Sequence, residues 1–225
     1  MSKQTVDIGT SANDGTGSPI RTAFEICNDN FTELYSSGTT ALAFKIEGTD
    51  FTGSLIVGHS TTGTLDAATY NTALGIGAMD AITSGDYNVA VGYNSGTAIT
   101  EGVKNTIIGG LAGSALSTGT HNVALGYNAL LTEDTGNKNV AIGTDVLKNL
   151  NSDGDAFNTV VGHNSGYAMT TGTTNTLIGA LAGDAITDAT SNTAVGYNTL
   201  SAETKGDRNV AIGYEALTAQ NNTSD

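Results

Sequence analysis

The chain has 225 residues, including 30 glycines and one proline, and its formal net charge is −14. Nucleic acids and anionic membrane surfaces are poor partners for so acidic a chain, because phosphate groups attract Lys and Arg. There is no run of 18 apolar residues and no apolar segment near the N-terminus, so we expect neither membrane insertion nor a secretory signal. We therefore expect a protein that is assembled in a cytoplasm.

The first 38 residues predict an arm followed by a helix. Residues 1–17 are polar and rich in Gly, which is typical of an extended arm without a core. Ser18 and Pro19 are a favourable helix start, and we expect a short α-helix within 18–38. Its apolar residues recur at spacings of four and three, as in a heptad: Ile20, Phe24, Cys27, Phe31 and Leu34. This seam predicts helix association, docking on another protein, or an amphipathic helix that packs on its own chain.

Residues 39–53 have a different period. Leu42, Phe44 and Ile46 alternate with other residues, which predicts a strand, and residues 47–50 are typical of a turn. We expect this connecting segment to join the helix to the repeats and to cap their first coil.

The remaining residues, 54–225, are a repeat built around an Asn followed four residues later by a Gly. We number each repeat from that Asn, position 1, so that the Gly is position 5. The Asn residues are Asn71, Asn88, Asn105, Asn122, Asn139, Asn158, Asn175, Asn192 and Asn209, and Ser54 begins an imperfect first copy. The period is 17 residues, except that the two extra residues between Asn139 and Asn158 fall in a polar turn at 151–155. Such a period predicts a mainly β protein, a parallel β-solenoid of ten coils.

Positions 2 to 4 predict a short strand with two apolar faces. No Asp, Glu, Lys or Arg occurs at positions 1 to 6 of any repeat, so both faces favour burial. One face fits the inside of the coil and the other a second subunit. We expect position 4 to lie inside and the smaller position 3 to line the axis of a homotrimer. The axis candidates are Ile56, Ala73, Ala90, Ile107, Ala124, Ala141, Val160, Leu177, Ala194 and Ala211.

Other positions predict how the coils stack. The Asn at position 1 predicts a ladder of amides, and the Gly at position 5 predicts a positive φ or a close backbone approach. Apolar residues at positions 9 and 12, such as Met79 and Ile82, predict a return limb that faces inward. Residues 88–146 resemble 158–216, which indicates that a block of four coils was duplicated.

Two stretches resemble known families. Residues 9–24, Gly-Thr-Ser-Ala-Asn-Asp-Gly-Thr-Gly-Ser-Pro-Ile-Arg-Thr-Ala-Phe, and 30–35, Asn-Phe-Thr-Glu-Leu-Tyr, resemble the N-terminal module of tailed-phage fibre and virion proteins, cyanophage ones included. The repeats are similar to the head repeats of trimeric autotransporter adhesins, whose usual repeat is shorter than 17 residues. The resemblance implies a homotrimer in a phage tail, assembled in the host cytoplasm. It also implies attachment to other virion tail proteins through the N-terminal region.

The sequence does not favour catalysis. His59 and His163 occupy position 6, which is elsewhere often Tyr, so we interpret them as turn residues. We expect no catalytic residues, no metal site and no cofactor, although the turn around Asp153 and Asp155 offers oxygen atoms to a calcium ion. The expected function is a tail fibre that contacts a host surface glycan or protein. The alternatives are an adaptor that joins another fibre protein, a glycan-depolymerising tailspike, and an ice-binding solenoid. We disfavour the last because Thr at position 2 is expected to face a buried side.

Overall fold

The structure, a computed structural model, describes residues 44–48, 51–57 and 68–219. Within these residues the chain forms a parallel β-solenoid of about 8 turns, which confirms the predicted parallel β-solenoid. The arm at 1–17 and the helix at 18–38, with its seam of Ile20, Phe24, Cys27, Phe31 and Leu34, lie outside the described residues. The described part of the chain contains no helix long and apolar enough to cross a membrane.

A single sheet runs through the described residues. Strand β1 (Phe44–Gly48) pairs antiparallel with β2 (Phe51–Val57), so the connecting segment contains the predicted strand. Nine strands of three residues follow in sequence order, each parallel to the one before it and in the same register. They are β3 (Thr72–Leu74), β4 (Val89–Val91), β5 (Thr106–Ile108), β6 (Val123–Leu125), β7 (Val140–Ile142), β8 (Thr159–Val161), β9 (Thr176–Ile178), β10 (Thr193–Val195) and β11 (Val210–Ile212).

The Asn at position 1 joins each coil to the next through a ladder of amides, as the sequence predicts, and in most coils its Nδ2 also closes its own coil. Asn105 donates from its backbone N–H to Oδ1 of Asn88 at 3.0 Å, and its Oδ1 accepts the backbone N–H of Asn122 at 2.9 Å. Its Nδ2 also donates to the carbonyl of Gly119, at position 15 of the same coil, at 2.8 Å. The position 1 Asn side chains from Asn71 to Asn192 are fully buried, so their bonds are made away from water.

The Gly at position 5 is required by both of the reasons that the sequence suggests. Gly126 has a φ of 137°, and an added Cβ would lie 2.2 Å from the carbonyl oxygen of Gly143 in the next coil. Any larger residue would therefore be strained and would push two coils apart. The remaining part of each coil is a chain of tight turns in which positions 7, 9 and 17 have positive φ, as at Asn128, Leu130 and Lys138.

The core is a narrow column inside the coils. Met79, Ile82, Leu147, Leu150 and Met169, at positions 9 and 12, are fully buried, which confirms that the return limb faces inward. The strand contributes only its middle residue to this column.

The longer coil covers a buried carboxylate. Glu133, at position 12, is fully buried, and its Oε1 accepts the N–H of Gly136 at 2.8 Å. Its Oε2 accepts both the backbone N–H of Ser152, at 3.2 Å, and the Ser152 hydroxyl, at 3.0 Å. The polar turn predicted at 151–155 thus brings Ser152 inward, while Asn151 and Asp153 remain exposed.

Candidate functional site

The orientation of the strands decides which residues meet other molecules, and it is the reverse of our expectation. The position 3 side chains are buried inside the single chain, with at most 2% exposed, so they cannot line an axis between subunits. The residues that we expected on the trimer axis and that instead lie inside the coil are Ala73, Ala90, Ile107, Ala124, Ala141, Val160, Leu177, Ala194 and Ala211. The side chain of Ile56 lies outside the described residues, but its backbone pairs in register with Ala73.

The Asn ladder explains this orientation. The position 1 side chain must point inward to reach the carbonyl at position 15 of its own coil, as Asn122 reaches Gly136. Side chains alternate along a strand, so position 3 also points inward and positions 2 and 4 point outward. The expectation that position 4 lies inside is therefore wrong as well.

The outward rows form an apolar face along the sheet. At position 4, Leu74 is 50% exposed and Leu125 is 42% exposed. The position 2 row consists of Thr and Val, and each of its members from Thr72 to Val210 is exposed or half-buried. The position 4 row consists of Leu, Val and Ile. In the described coils the face measures roughly 13 Å along each strand, from position 2 to position 6, by roughly 38 Å across the stacked strands, or about 500 Å². It is thus as large as the largest apolar patch of a typical monomer.

Two further rows border this face, and they are exposed except at Gly110 and Ala180, which are half-buried. Position 6 lies at one edge, and position 17, just before the Asn, lies at the other. The position 6 row is Ile76, Tyr93, Gly110, Tyr127, Thr144, His163, Ala180, Tyr197 and Tyr214. The position 17 row is Tyr70, Tyr87, Lys104, His121, Lys138, Phe157, Thr174, Ser191 and Arg208.

Neighbouring side chains in the edge rows stack along the solenoid. The rings of Tyr70 and Tyr87 are stacked with centroids 4.9 Å apart, and those of Tyr197 and Tyr214 with centroids 5.5 Å apart. The Lys138 ammonium lies 4.8 Å from the centroid of the Phe157 ring. The faces of these five rings therefore point along the solenoid, toward the coil above or below.

The charged side chains of the described coils lie at the edges of the apolar face or beyond them. Lys138 forms an ion pair with Asp155 at 2.6 Å, and Lys148 forms one with Asp145 at 3.0 Å. The pKa of Asp145 is lowered mainly by the hydrogen bond that it accepts from Asn128, with a further contribution from Lys148. These groups surround the face without entering it, so the face itself is uncharged.

Glu133 is a charge-bearing group that the sequence analysis did not single out. Burial raises the pKa of its carboxyl, although the hydrogen bonds from Gly136 and Ser152 oppose that shift. Glu203, 70 residues later in the duplicated block, is also fully buried, and its Oε1 accepts the N–H of Gly206 at 2.7 Å. The available signal was that these two carboxylates occupy position 12, which is otherwise apolar except for Gln220 in the last repeat. In both coils the carboxylate accepts amides of its own turn, which is a structural role.

The turn around Asp153 and Asp155 is occupied by bonds within the chain. Asp153 accepts a hydrogen bond from Thr135 at 3.3 Å, and Asp155 is paired with Lys138. In the described residues no group of three or more His, Cys, Asp or Glu side chains is placed to hold a metal ion. His163 is exposed at position 6.

The position 2 threonines face outward, contrary to our reason for disfavouring ice binding. Thr72, Thr106 and Thr176 lie on the same face as the position 4 side chains. Val occupies this row in other coils, and Tyr93 and Tyr127 stand more than half exposed beside it. The face therefore offers an apolar surface and not an unbroken array of hydroxyl groups.

Comparison with protein-family models, with curated proteins and with solved structures finds no match to this chain.

Proposed function

We propose that the chain is a structural subunit of a fibre, and that its solenoids associate side by side as a homotrimer through the outer face of the sheet. The supporting observation is that this face runs through every described coil without a charged residue, while Leu125 and Leu74 on it stand 42% and 50% exposed. A contact of this kind removes apolar surface from water, which is the main driving force of association.

The fibre that we propose is a short phage tail fibre. This proposal rests on the resemblance of residues 9–35 to the N-terminal modules of tailed-phage fibre proteins. In it the N-terminal region binds another virion tail protein, and the solenoid contacts a glycan or protein of the host surface. Binding of the labelled chain to cyanobacterial cells, the hosts implied by the resemblance, tests this role. A chain that lacks residues 1–36 should still fold and bind cells but should no longer join a virion.

An adaptor that joins another fibre protein is the second candidate. Within the described residues β11 pairs with β10 alone, and Val210 and Ile212 in it are 66% and 69% exposed. A strand of a partner can add to such an edge by backbone hydrogen bonds. Failure to bind cells, together with tight binding of another virion protein at the last coil, would favour the adaptor. Glycan-degradation and thermal-hysteresis assays test the tailspike and ice-binding alternatives.

A further inference from the structure

The two edge rows of the outer face vary together from coil to coil. Four coils have Tyr at position 6, and three of them have a cation at position 17; in the fourth, which contains Tyr214, position 17 is Asp225. The pairs are Tyr93 with Lys104, Tyr127 with Lys138, and Tyr197 with Arg208. The other coils with both positions described have no Tyr at position 6 and neither Lys nor Arg at position 17. Those pairs are Ile76 with Tyr87, Gly110 with His121, Thr144 with Phe157, His163 with Thr174, and Ala180 with Ser191.

The duplicated block shows the same relation. Its second copy keeps Tyr197 and replaces Lys138 by Arg208, so the ring and the positive charge are both retained. Where the second copy replaces Tyr93 by His163, it also replaces Lys104 by Thr174. Residues that change together are expected to touch.

Within one chain these residues cannot touch. Positions 17 and 6 lie at opposite edges of the outer face, separated by the strand, which is roughly 15–20 Å of extended chain. The ring of Tyr93 is 59% exposed, and Lys104 is exposed at the other edge. Lys138 does have partners in its own chain, Asp155 and the Phe157 ring, so Tyr93 and Lys104 are the pair with the fewest competing contacts.

We infer that, in the assembly of the proposed function, the position 6 edge of each solenoid packs on the position 17 edge of the next copy. This inference rests on the proposed self-association. The copies are then parallel and level to within one coil of about 4.8 Å, and the Lys or Arg of one copy lies over the Tyr ring of its neighbour. The stacked rings of Tyr197 and Tyr214 already point along the solenoid, and Lys138 shows that a cation one coil away reaches a ring face at 4.8 Å.

This arrangement applies to parallel copies around a common axis. Opposite edges of the face meet in any such ring, whereas antiparallel copies would place unrelated coils beside each other. A cation over a Tyr ring contributes about 0.5–1 kcal/mol at an exposed site, which corresponds to about a 2- to 5-fold change in affinity for each contact. The apolar rows then supply most of the affinity. The edge pairs determine that the copies are parallel and which coils of neighbouring copies lie side by side.

Crosslinking of the full chain tests the inference. In a Cys27→Ser background, Tyr93→Cys and Lys104→Cys are combined and treated with a short bismaleimide. We expect a covalent ladder that ends at the number of copies in the ring, because the two thiols of one chain are too far apart to react. The matched control combines Tyr93→Cys with Arg208→Cys, six coils away, and should give no ladder. Absence of crosslinks in a protein that still elutes as an oligomer would overturn the inference and leave the proposed function standing, whereas a monomer would overturn both.

A second set of variants uses exchanges that the chain itself contains. Lys104→Thr alone should raise the dissociation constant of the oligomer several-fold, because Tyr93 loses its cation. The double variant Tyr93→His with Lys104→Thr reproduces the pair found at His163 and Thr174, and we expect its effect to be smaller than the sum of the two single effects. Strictly additive effects would contradict a contact between the two edges.

Discussion

The Cδ1 atom of Ile107 lies 3.0 Å from the point at which a Cβ atom on Gly113 would stand. Position 3 and position 9 thus share one volume inside the coil. From Asn71 onward, position 9 is Gly wherever position 3 is large, as in Leu177 with Gly183. Where position 3 is Ala, position 9 is usually Leu or Met, as in Ala124 with Leu130. The column is filled by complementary sizes, and not by one repeated side chain.

An exchange of sizes between Ile107 and Gly113 tests this complementarity. Ile107→Ala should lower the free energy of unfolding by about 2–5 kcal/mol, because it leaves a cavity. Gly113→Leu should lower it by about 1–3 kcal/mol through overpacking. The double variant reproduces the Ala124 and Leu130 pair, and Leu130 already has a φ of 52°, so we expect most of the loss to be recovered. Losses that simply add in denaturant titrations would show that the two positions do not share a volume.

The Asn ladder should be highly sensitive to single substitutions. Asn105→Ala removes the acceptor of the Asn122 N–H and the donor to the Gly119 carbonyl. Because both groups are then buried without a partner, we expect a loss of at least about 2 kcal/mol. Asn151→Ala is the matched control: Asn151 is exposed, so its replacement should change stability by less than about 0.5 kcal/mol. Equal thermal shifts for the two variants would show that the ladder does not stabilise the coils.

Glu133 gives the stability a predictable pH dependence. Its pKa is raised in the folded state above the ordinary 4.5, so the folded protein holds this proton more tightly than the unfolded chain. The stabilisation by the protonated form is complete below pH 4.5 and is lost as the pH rises through the folded pKa. We therefore expect the melting temperature of the native protein, relative to Glu133→Gln, to increase as the pH is lowered from 7 toward 4.5.

Two comparisons isolate that effect. Asp145 has a lowered pKa, so its contribution is lost only below the ordinary value of 3.8, outside the range of the experiment. Glu101→Gln removes an exposed carboxylate and controls for the change in net charge. A difference between native protein and Glu133→Gln that is constant with pH would show that Glu133 does not titrate in this range.

Much of the fold could be predicted from the sequence, because a 17-residue period allows few architectures. The Asn ladder, the close approach at position 5 and the inward return limb also followed from residue types. Which face of each strand lies inside the coil could not be predicted in this way. Positions 2, 3 and 4 are all apolar or Thr, so hydrophobicity does not distinguish the two faces. The position 15 carbonyl that anchors Asn122 was the missing fact, because it fixes which side of the strand is inside.

The left-handed turns were equally hard to foresee. Leu130 and Leu147 adopt φ values of 52° and 46°, a conformation that sequence patterns associate with Gly or Asn. Stacking on identical turns above and below holds them there. The buried carboxylate of Glu133 accepts a hydrogen bond from Ser152, 19 residues away. A contact between two different repeats cannot be predicted by considering each repeat separately.

Neighbouring residues on β6 separate folding from association. Leu125 is 42% exposed on the outer face, whereas Ala124 is 1% exposed inside the coil. Leu125→Arg should therefore leave the circular dichroism spectrum unchanged and abolish association, because it places a charge in an uncharged contact. Ala124→Arg should prevent folding, because it buries a charge without a partner. Thr118→Arg, on an exposed turn, should do neither.

The mass of the intact protein in solution tests the central claim most directly. Each chain has a mass of 22.7 kDa, and a homotrimer formed through the outer face predicts about three times that mass. The same measurement on Leu125→Arg should return 22.7 kDa. A native protein that stays at 22.7 kDa at micromolar concentration, with its solenoid folded, would contradict the account.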